Sequence, residues 1–207
     1  MNSVSTSNAV DLVCWDFGDT LVDEMFMRIA PIDVPQWATV YEEVLDERPE
    51  WVEDWMLGRV SMNDLIPLLV DRLPMTAEQV AHHLRWVWTQ IVWFEDSRQL
   101  IERIPATVAQ AIVTVNPHEF HGIATACGLD PLVPTMVTSA DLETASKPAM
   151  AVRAREILGL PVGLGTTVLI DNRADNVAAF EAAGGHAVLC ERDNRSLIEV
   201  ERLLGLV

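Results

Sequence analysis

The sequence has little positive charge, and almost none of it comes from lysine. It contains 14 lysine and arginine residues against 31 aspartate and glutamate residues, and its formal net charge is −17. Lys147 is the only lysine. A surface this acidic repels polyanions, so we expect no binding to nucleic acid or to an anionic membrane. A local basic pocket for a small anion is still compatible with this charge.

Long apolar runs are also missing. A helix that spans a membrane needs roughly 18 to 20 consecutive apolar residues, and every apolar run of this sequence is shorter. Residues 1–8 are polar and lack the basic start and apolar stretch of a secretory signal peptide. We therefore expect a cytoplasmic protein.

Cysteine and histidine are too few and too scattered to indicate a metal site. Cys14, Cys127 and Cys190 are far apart and form no CxxC pair, and the five histidines form no HExxH pattern. We expect buried, reduced thiols and ordinary surface or core histidines.

Short apolar runs alternate with helical patterns along most of the chain. The runs are typical of buried strands, and they cover residues 9–15, 108–115, 134–138, 167–170 and 186–189. Because such alternation builds successive strand–helix–strand units, the sequence predicts an α/β protein with a Rossmann-like, doubly wound, mostly parallel sheet.

The segment between the first two runs is long, and its apolar residues recur at helical spacing. This pattern favours a helical cap domain over residues 23–104, inserted after the first strand of a core domain that comprises residues 1–22 and 105–207. Six of the seven tryptophans lie in the insertion. Two interpretations of them are open: an aromatic substrate pocket and, the one we favour, the core of a small helical domain.

Two helix starts are indicated directly by the sequence. Asn116, followed by Pro117 and by Glu119 three residues later, is typical of an N-cap with a capping box. Ser146 precedes an amphipathic segment at residues 149–158 and predicts a second helix start.

Polar residues stand at the predicted ends of the strands or in the loops beyond them. They are Asp16, Thr114, the loop that contains Lys147, and Asp171. Since a doubly wound sheet binds its ligand outside the carboxyl ends of its strands, we expect these residues to meet in one crevice.

In this order the residues resemble the haloacid dehalogenase-like (HAD) hydrolase superfamily. The resemblance covers nearly the whole chain, and the helical insertion resembles the C1 cap of subfamily I. Four segments carry the resemblance. They are DFGDTLVD, which begins at Asp16, IVT, which ends at Thr114, SKP, which contains Lys147, and LIDN, which contains Asp171.

The resemblance implies a nucleophile and a metal ion. Asp16 would attack phosphorus or carbon and form a covalent aspartyl intermediate, which water then hydrolyses. A Mg²⁺ cofactor would be held by the Asp16 carboxylate, the backbone carbonyl of Gly18 and Asp171.

The resemblance also implies residues that bind the transferred group. Thr114 would donate a hydrogen bond to a phosphoryl oxygen, with Asn116 as a second candidate for this role. Lys147 would neutralise the charge that develops in the transition state. That a chain with a single lysine has it at this position supports the assignment. A Schiff base of the kind formed by phosphonatase relatives is excluded, because the predicted cap contains no lysine.

The sequence departs from the family pattern at two places. Gly18 replaces the second aspartate, which serves family phosphatases as general acid and base and contributes roughly 10²- to 10⁴-fold to the rate. Asp19 is a possible substitute for it. Without a general acid, we expect the rate of hydrolysis to fall least for acyl phosphates, anhydrides and aryl phosphates. Asn172 stands where many relatives have a second acid, and Asp175 either contributes through a water or, as we favour, caps the next helix.

Three functions are therefore open. The first is a Mg²⁺-dependent phosphatase of a small phosphorylated metabolite. The second is a 2-haloacid dehalogenase, since a halide needs no proton and Gly18 suits that chemistry, although Asp171 retains a carboxylate that those metal-independent enzymes do not need. The third is a noncatalytic HAD-like protein that binds a phosphorylated ligand or a protein partner.

Overall fold

Five parallel strands form the centre of a computed structural model that describes residues 10–191 and 194–207. The strands are β1 (Leu12–Trp15), β2 (Ala109–Thr114), β3 (Met136–Thr138), β4 (Thr167–Asp171) and β5 (His186–Leu189). Their order is β3-β2-β1-β4-β5, and every neighbouring pair is parallel. The predicted doubly wound sheet is thus confirmed, and the strand order reverses between β1 and β4.

The predicted strands agree with the observed ones to within one to three residues at each end. The first predicted strand begins at Ala9, which lies outside the described residues. Residues 1–8, which we expect not to form a signal peptide, also lie outside them. β4 continues one residue beyond its prediction and ends at Asp171.

Helices cover both faces of the sheet. In the described ranges the α-helices are α1 (Trp37–Asp46), α2 (Pro49–Met56), α3 (Met62–Val70), α4 (Ala77–Trp86), α5 (Glu95–Arg103), α6 (Phe120–Ala126), α7 (Ser139–Leu142), α8 (Lys147–Ile157), α9 (Ala174–Ala182) and α10 (Asn194–Leu203). Two 3₁₀ helices span Glu24–Arg28 and Val87–Gln90. Nowhere in the described ranges is a helix long and apolar enough to cross a membrane.

The side chains of β1 alternate between two buried clusters, because successive residues of a strand point to opposite faces. Val13 and Trp15 pack into the cluster formed with α5, α6 and α10. Leu12 and Cys14 pack into the cluster formed with α8 and α9. All four are fully buried. β1 is therefore the central strand of a three-layer core, and its carboxyl end is held rigidly.

Helices α1 to α4 have a hydrophobic cluster of their own, which includes Trp37, Trp55, Leu65 and Leu84. For Trp37 and Trp55 this supports the interpretation as helical core, whereas Trp86 is exposed and Trp93 packs against the cluster of the sheet. Helix α5, which also lies in the long insertion, packs instead into the cluster of the sheet. The division into a cap at residues 23–104 and a core stays a prediction.

The helix start predicted at Asn116 is wrong. Helix α6 begins only at Phe120, and the Glu119 carboxylate does not return to the backbone of Asn116. It accepts hydrogen bonds from the backbone N–H of Met62 at 2.7 Å and from Nε1 of Trp55 at 3.4 Å. Contacts to the helices of the insertion have replaced the local cap, which sequence spacing alone does not reveal.

The three cysteines are free thiols. Cys14 and Cys190 are buried, whereas Cys127 is only half-buried. Burial raises the pKa of Cys14 to about 12 and that of Cys127 to about 11, so both stay protonated at neutral pH.

Candidate active site

Asp16 directly follows the central strand and is buried at its carboxyl end. Its backbone N–H donates to the carbonyl of Ile170 at 2.9 Å, which extends the pairing of β1 with β4 by one residue. Its Oδ1 accepts a hydrogen bond from Nζ of Lys147 at 2.5 Å. The proposed nucleophile is therefore fixed both through its backbone and through its side chain.

Lys147 is the first residue of α8 and is almost completely buried. The helix begins there because the Ser146 side chain accepts a hydrogen bond from the N–H of Ala149. Besides its contact with Asp16, Nζ donates to the carbonyl of Val113 at 2.8 Å and lies 3.1 Å from Oδ2 of Asp171. Since an ammonium group has three donors, these three partners satisfy it completely.

Asp171 ends β4 and is fully buried. Its Oδ1 accepts from the backbone N–H of Arg173 at 2.9 Å, and the side-chain amide of Asn176 donates to both of its oxygens at 3.0 Å. The carboxylate is thus held in one orientation, with Oδ2 toward Lys147. A buried acid with this many donors is positioned before any ligand arrives.

The cluster of Asp16, Asp171 and Lys147 holds two carboxylates for one ammonium group. Burial raises the pKa of Asp16, and the charge of Asp171 raises it further, while Lys147 acts in the opposite direction. With both acids ionised, the cluster carries one excess negative charge. This imbalance favours a bound cation.

The residues present fit a magnesium ion. The described residues include no cluster of three or more His, Cys, Asp or Glu side chains suited to a metal. The set implied by the resemblance does not require one, because it combines two carboxylates, from Asp16 and Asp171, with the backbone carbonyl of Gly18. Mg²⁺ prefers oxygen ligands, and one or two carboxylates with several waters are its usual protein partners.

Thr114 and Asn116, the two candidates for binding a phosphoryl oxygen, lie side by side. Thr114 ends β2 and is buried, and its Oγ1 accepts a hydrogen bond from Nδ2 of Asn116 at 2.8 Å. Because this contact uses the hydroxyl as an acceptor, the hydroxyl proton is left to donate to a ligand.

A polar cavity of about 480 Å³ opens above these residues. Its lining includes Asp16, Thr114, Asn116, Lys147, Asn172, Arg173, Asp175 and Asn176. Asn172 is half-buried there, while Arg173 and Asp175 are exposed at the rim and form an ion pair at 2.8 Å. The favoured interpretation of Asp175 as the cap of the next helix is wrong, because the N-cap of α9 is Arg173 and Asp175 lies in the first turn.

A second, more apolar cavity of about 440 Å³ adjoins the polar one. It lies between the core and the helices of the insertion, and its lining includes Phe17, Asp19, Met25, Phe26, Tyr41, Trp55, Met62 and Trp88. Asp19 adopts a left-handed φ of 52° in the turn after Asp16. Glu24 and Asn116 line both cavities, so the two spaces share a wall.

Three residues of the site were not predicted as site residues: Glu24, Arg173 and Asn176. Asn176 was detectable in principle, because it lies five residues after Asp171 in the first turns of a helix that starts just beyond the strand. Arg173 and Glu24 follow no pattern that separates them from ordinary surface residues. They line the cavities only because of the course that their loops take in the folded chain.

The comparisons with known proteins identify the fold. No family model and no curated protein matches the sequence. Among solved structures, a HAD-like family hydrolase from Porphyromonas gingivalis has a TM-score of 0.66 at 15% identity and covers 94% of this chain and 98% of its own. L-2-haloacid dehalogenase from Xanthobacter autotrophicus has a TM-score of 0.63 at 14% identity, with coverage of 95% and 83%.

A third similar structure contains ligands. It is a HAD family enzyme from Bacteroides thetaiotaomicron in complex with magnesium and inorganic phosphate, with a TM-score of 0.60 at 9% identity and coverage of 87% and 94%. The chain therefore has the fold of the HAD-superfamily hydrolases, as the motif order predicts. At these identities the likeness establishes the fold and not the reaction.

Proposed function

We propose that this HAD-fold chain is a Mg²⁺-dependent phosphatase of a small phosphorylated metabolite, acting through an aspartyl-phosphate on Asp16. The observation that carries the proposal is the buried cluster of Asp16, Lys147 and Asp171 at the floor of the polar cavity. Buried acids with perturbed pKa values in a cleft are typical of catalytic sites. A purely structural cluster has no need of an excess negative charge.

In this proposal each residue of the cluster has a role. Asp16 attacks the phosphorus atom with a carboxylate oxygen, and Lys147, which donates to this carboxylate, favours its ionised form and aligns it. Thr114 and Asn116 orient the phosphoryl oxygens from the neighbouring strand end. The groups are in place before the substrate binds, so little reorganisation is required in the transition state.

Asp16, Asp171 and the carbonyl of Gly18 would hold the magnesium ion. When bound, it supplies positive charge to the phosphoryl oxygens and offsets the excess charge of the two carboxylates. The magnesium and phosphate in the similar structure from Bacteroides thetaiotaomicron support this part of the proposal.

The adjoining apolar cavity indicates the kind of substrate. Its aromatic and methionine side chains suit an organic group that is largely apolar. We propose that residues 23–104 act as the cap that supplies this specificity.

The first test is hydrolysis of p-nitrophenyl phosphate with Mg²⁺ by the wild type, Asp16→Asn and the control Asp71→Asn, which changes an exposed aspartate. We expect turnover in the wild type and the control, loss by at least about a thousandfold in Asp16→Asn, and loss with EDTA. An inactive wild type, or an active Asp16→Asn variant, would contradict the proposal.

A 2-haloacid dehalogenase is the second candidate, and Gly18 is the observation that favours it. Halide leaves without a proton, and the similar L-2-haloacid dehalogenase shares the fold. This function predicts halide release from a 2-haloacid that EDTA does not affect and that Asp16→Asn abolishes. Binding of inorganic phosphate without any turnover would instead favour the noncatalytic alternative.

A further inference from the structure

The space beside Gly18 is filled by the side chain of Glu24. A Cβ atom placed on Gly18 would lie 1.6 Å from Oε1, 2.3 Å from Cδ and 2.5 Å from Cγ of Glu24. The φ of Gly18 lies outside the left-handed region, so the backbone conformation does not require glycine there. With Glu24 in this position, a side chain at position 18 would have to displace its carboxyl group, whereas glycine leaves that space to Glu24.

From this geometry we infer that Glu24 is the general acid and base of the reaction, in place of an aspartate at position 18. The inference rests on the phosphatase function proposed above. It assigns a catalytic role to a residue eight positions beyond Asp16, at the start of the 3₁₀ helix Glu24–Arg28.

The position of Glu24 between the two cavities suits this role. The phosphoryl group occupies the polar cavity over Asp16, and the organic group occupies the apolar cavity, so the oxygen that joins them lies at the shared wall. Glu24 and Asn116 form that wall. Glu24 supplies a carboxyl group there, whereas the amide of Asn116 cannot exchange a proton with a leaving alkoxide.

The segment that carries Glu24 is anchored on both sides. The Asp23 N–H donates to the carbonyl of Val92 at 3.1 Å, and the Asp23 side chain caps the 3₁₀ helix by accepting from the N–H of Met25 at 2.9 Å. Phe26, two residues further on, is buried in the core cluster. Glu24 itself is exposed, which gives the hydrolytic water access to it.

The reaction proceeds in two steps, and Glu24 acts in both. Oδ of Asp16 forms a bond to phosphorus, the bond from phosphorus to the leaving oxygen breaks, and protonated Glu24 gives its proton to that oxygen. A water oxygen then attacks phosphorus and gives a proton to the Glu24 carboxylate, and the bond from phosphorus to Asp16 breaks. Inorganic phosphate leaves, and Asp16 and Glu24 return to their starting states.

Asp19 is the rival for this role, and the structure places it less well. Asp19 lies in the turn after Asp16 with a left-handed φ of 52°. Among the described residues, Asp19 lines the apolar cavity but not the polar cavity over Asp16.

The test compares Glu24→Gln with the wild type, with Asp19→Asn and with Glu78→Gln, a control at an exposed glutamate. For an alkyl phosphate we expect Glu24→Gln to lower turnover by about 10²- to 10⁴-fold. For p-nitrophenyl phosphate, whose leaving group needs no proton, we expect a burst of one nitrophenolate per enzyme and a slow steady state. Acid quenching should then trap a phosphoenzyme that hydroxylamine cleaves.

A rescue variant separates catalysis from structure. In Gly18→Asp/Glu24→Ala the shortened side chain at position 24 leaves the space beside position 18 to the new carboxylate, and we expect turnover of the alkyl phosphate to recover at least tenfold relative to Glu24→Gln. A folding defect in Glu24→Gln would show neither the trapped phosphoenzyme nor this recovery.

Several results would overturn the inference. One is turnover of both esters by Glu24→Gln within threefold of an active wild type, and another is loss of activity without a trapped phosphoenzyme. If Asp19→Asn, and not Glu24→Gln, gave the burst of nitrophenolate, the role of general acid and base would belong to Asp19. These outcomes leave the phosphatase function standing, whereas a wild type inactive on both esters overturns the proposed function and the inference together.

Discussion

The two ends of β1 carry aspartates in opposite electrostatic situations. Asp11 precedes the strand, and its carboxylate accepts two hydrogen bonds from the buried guanidinium of Arg155, at 2.6 and 3.0 Å. Asp16 follows the strand and shares one ammonium group with Asp171. One end of the sheet therefore holds one carboxyl group for one cation, and the other end holds two carboxyl groups for one cation.

This difference appears in the pKa values of the two aspartates. Hydrogen bonds from Arg155 lower the pKa of Asp11 below its ordinary value of 3.8, whereas burial, together with the charge of Asp171, raises the pKa of Asp16 above it. The balanced pair stabilises the folded chain. The unbalanced cluster is the one that we propose binds a ligand, so burial of an ion pair by itself does not identify a functional site.

Apart from Asp16→Asn, the largest effect on this comparison of the two ends of β1 is expected from removing the ammonium group of the unbalanced cluster. We expect Lys147→Met to lower turnover of p-nitrophenyl phosphate by at least about 10²-fold, because the two carboxylates then face each other without a cation. Steady-state kinetics checks this, with Arg153→Met on the exposed face of the same helix as the control. Turnover within tenfold of the wild type would show that Lys147 is not needed for the chemistry.

Breaking the balanced pair should affect stability and not catalysis. We expect Asp11→Asn to lower the free energy of unfolding at pH 7 by about 3 kcal/mol, since Arg155 is left buried without a counter-charge. Turnover should stay within twofold. Urea unfolding measures the stability, and a loss below about 1 kcal/mol would mean that Arg155 finds other partners.

The difference in the free energy of unfolding between the wild type and Asp11→Asn should depend on pH. The pKa of Asp11 is lowered in the folded protein, so its stabilisation is present above its ordinary pKa of 3.8. It is lost as the pH falls through the native pKa. The gap between the wild type and Asp11→Asn should therefore close below about pH 4.

A smaller change at the same end is Thr166→Val. The Thr166 hydroxyl donates to Oδ1 of Asp11 at 2.8 Å, beside the guanidinium of Arg155. Losing this one hydrogen bond should lower the free energy of unfolding by about 1 kcal/mol. Together with Asp11→Asn in a double-mutant cycle, the measurement shows whether Thr166 acts through Asp11.

The smallest change in stability is expected at the nucleophile. The pKa of Asp16 is raised, so its ionisation costs stability as the pH rises through the native pKa. Asp16→Asn should leave the free energy of unfolding at pH 7 unchanged or raise it by up to about 1 kcal/mol, although we expect it to abolish turnover. A clear loss of stability would show that Asp16 also has a structural role.

The strands were predictable because their signals are local. The run that ends at Trp15 and the run that ends in Ile170 have the length and apolar content of buried strands whatever surrounds them. The helix start at Asn116 was not predictable, since Glu119 gives its carboxylate to Met62 and Trp55 on a distant segment. A local motif fails where a tertiary contact competes for the same atom.

The sequence by itself determined which chemical groups stand at the ends of the strands. Asp16, Lys147 and Asp171 lie next to local strand or helix signals, and parallel strands bring their carboxyl ends to one edge. Only the tertiary structure decided how their charges balance and what fills the space beside Gly18. Charge balance depends on distances between segments more than a hundred residues apart, and Glu24 reaches its position because a backbone contact to Val92 fixes its loop. Neither is encoded in the spacing of neighbouring residues.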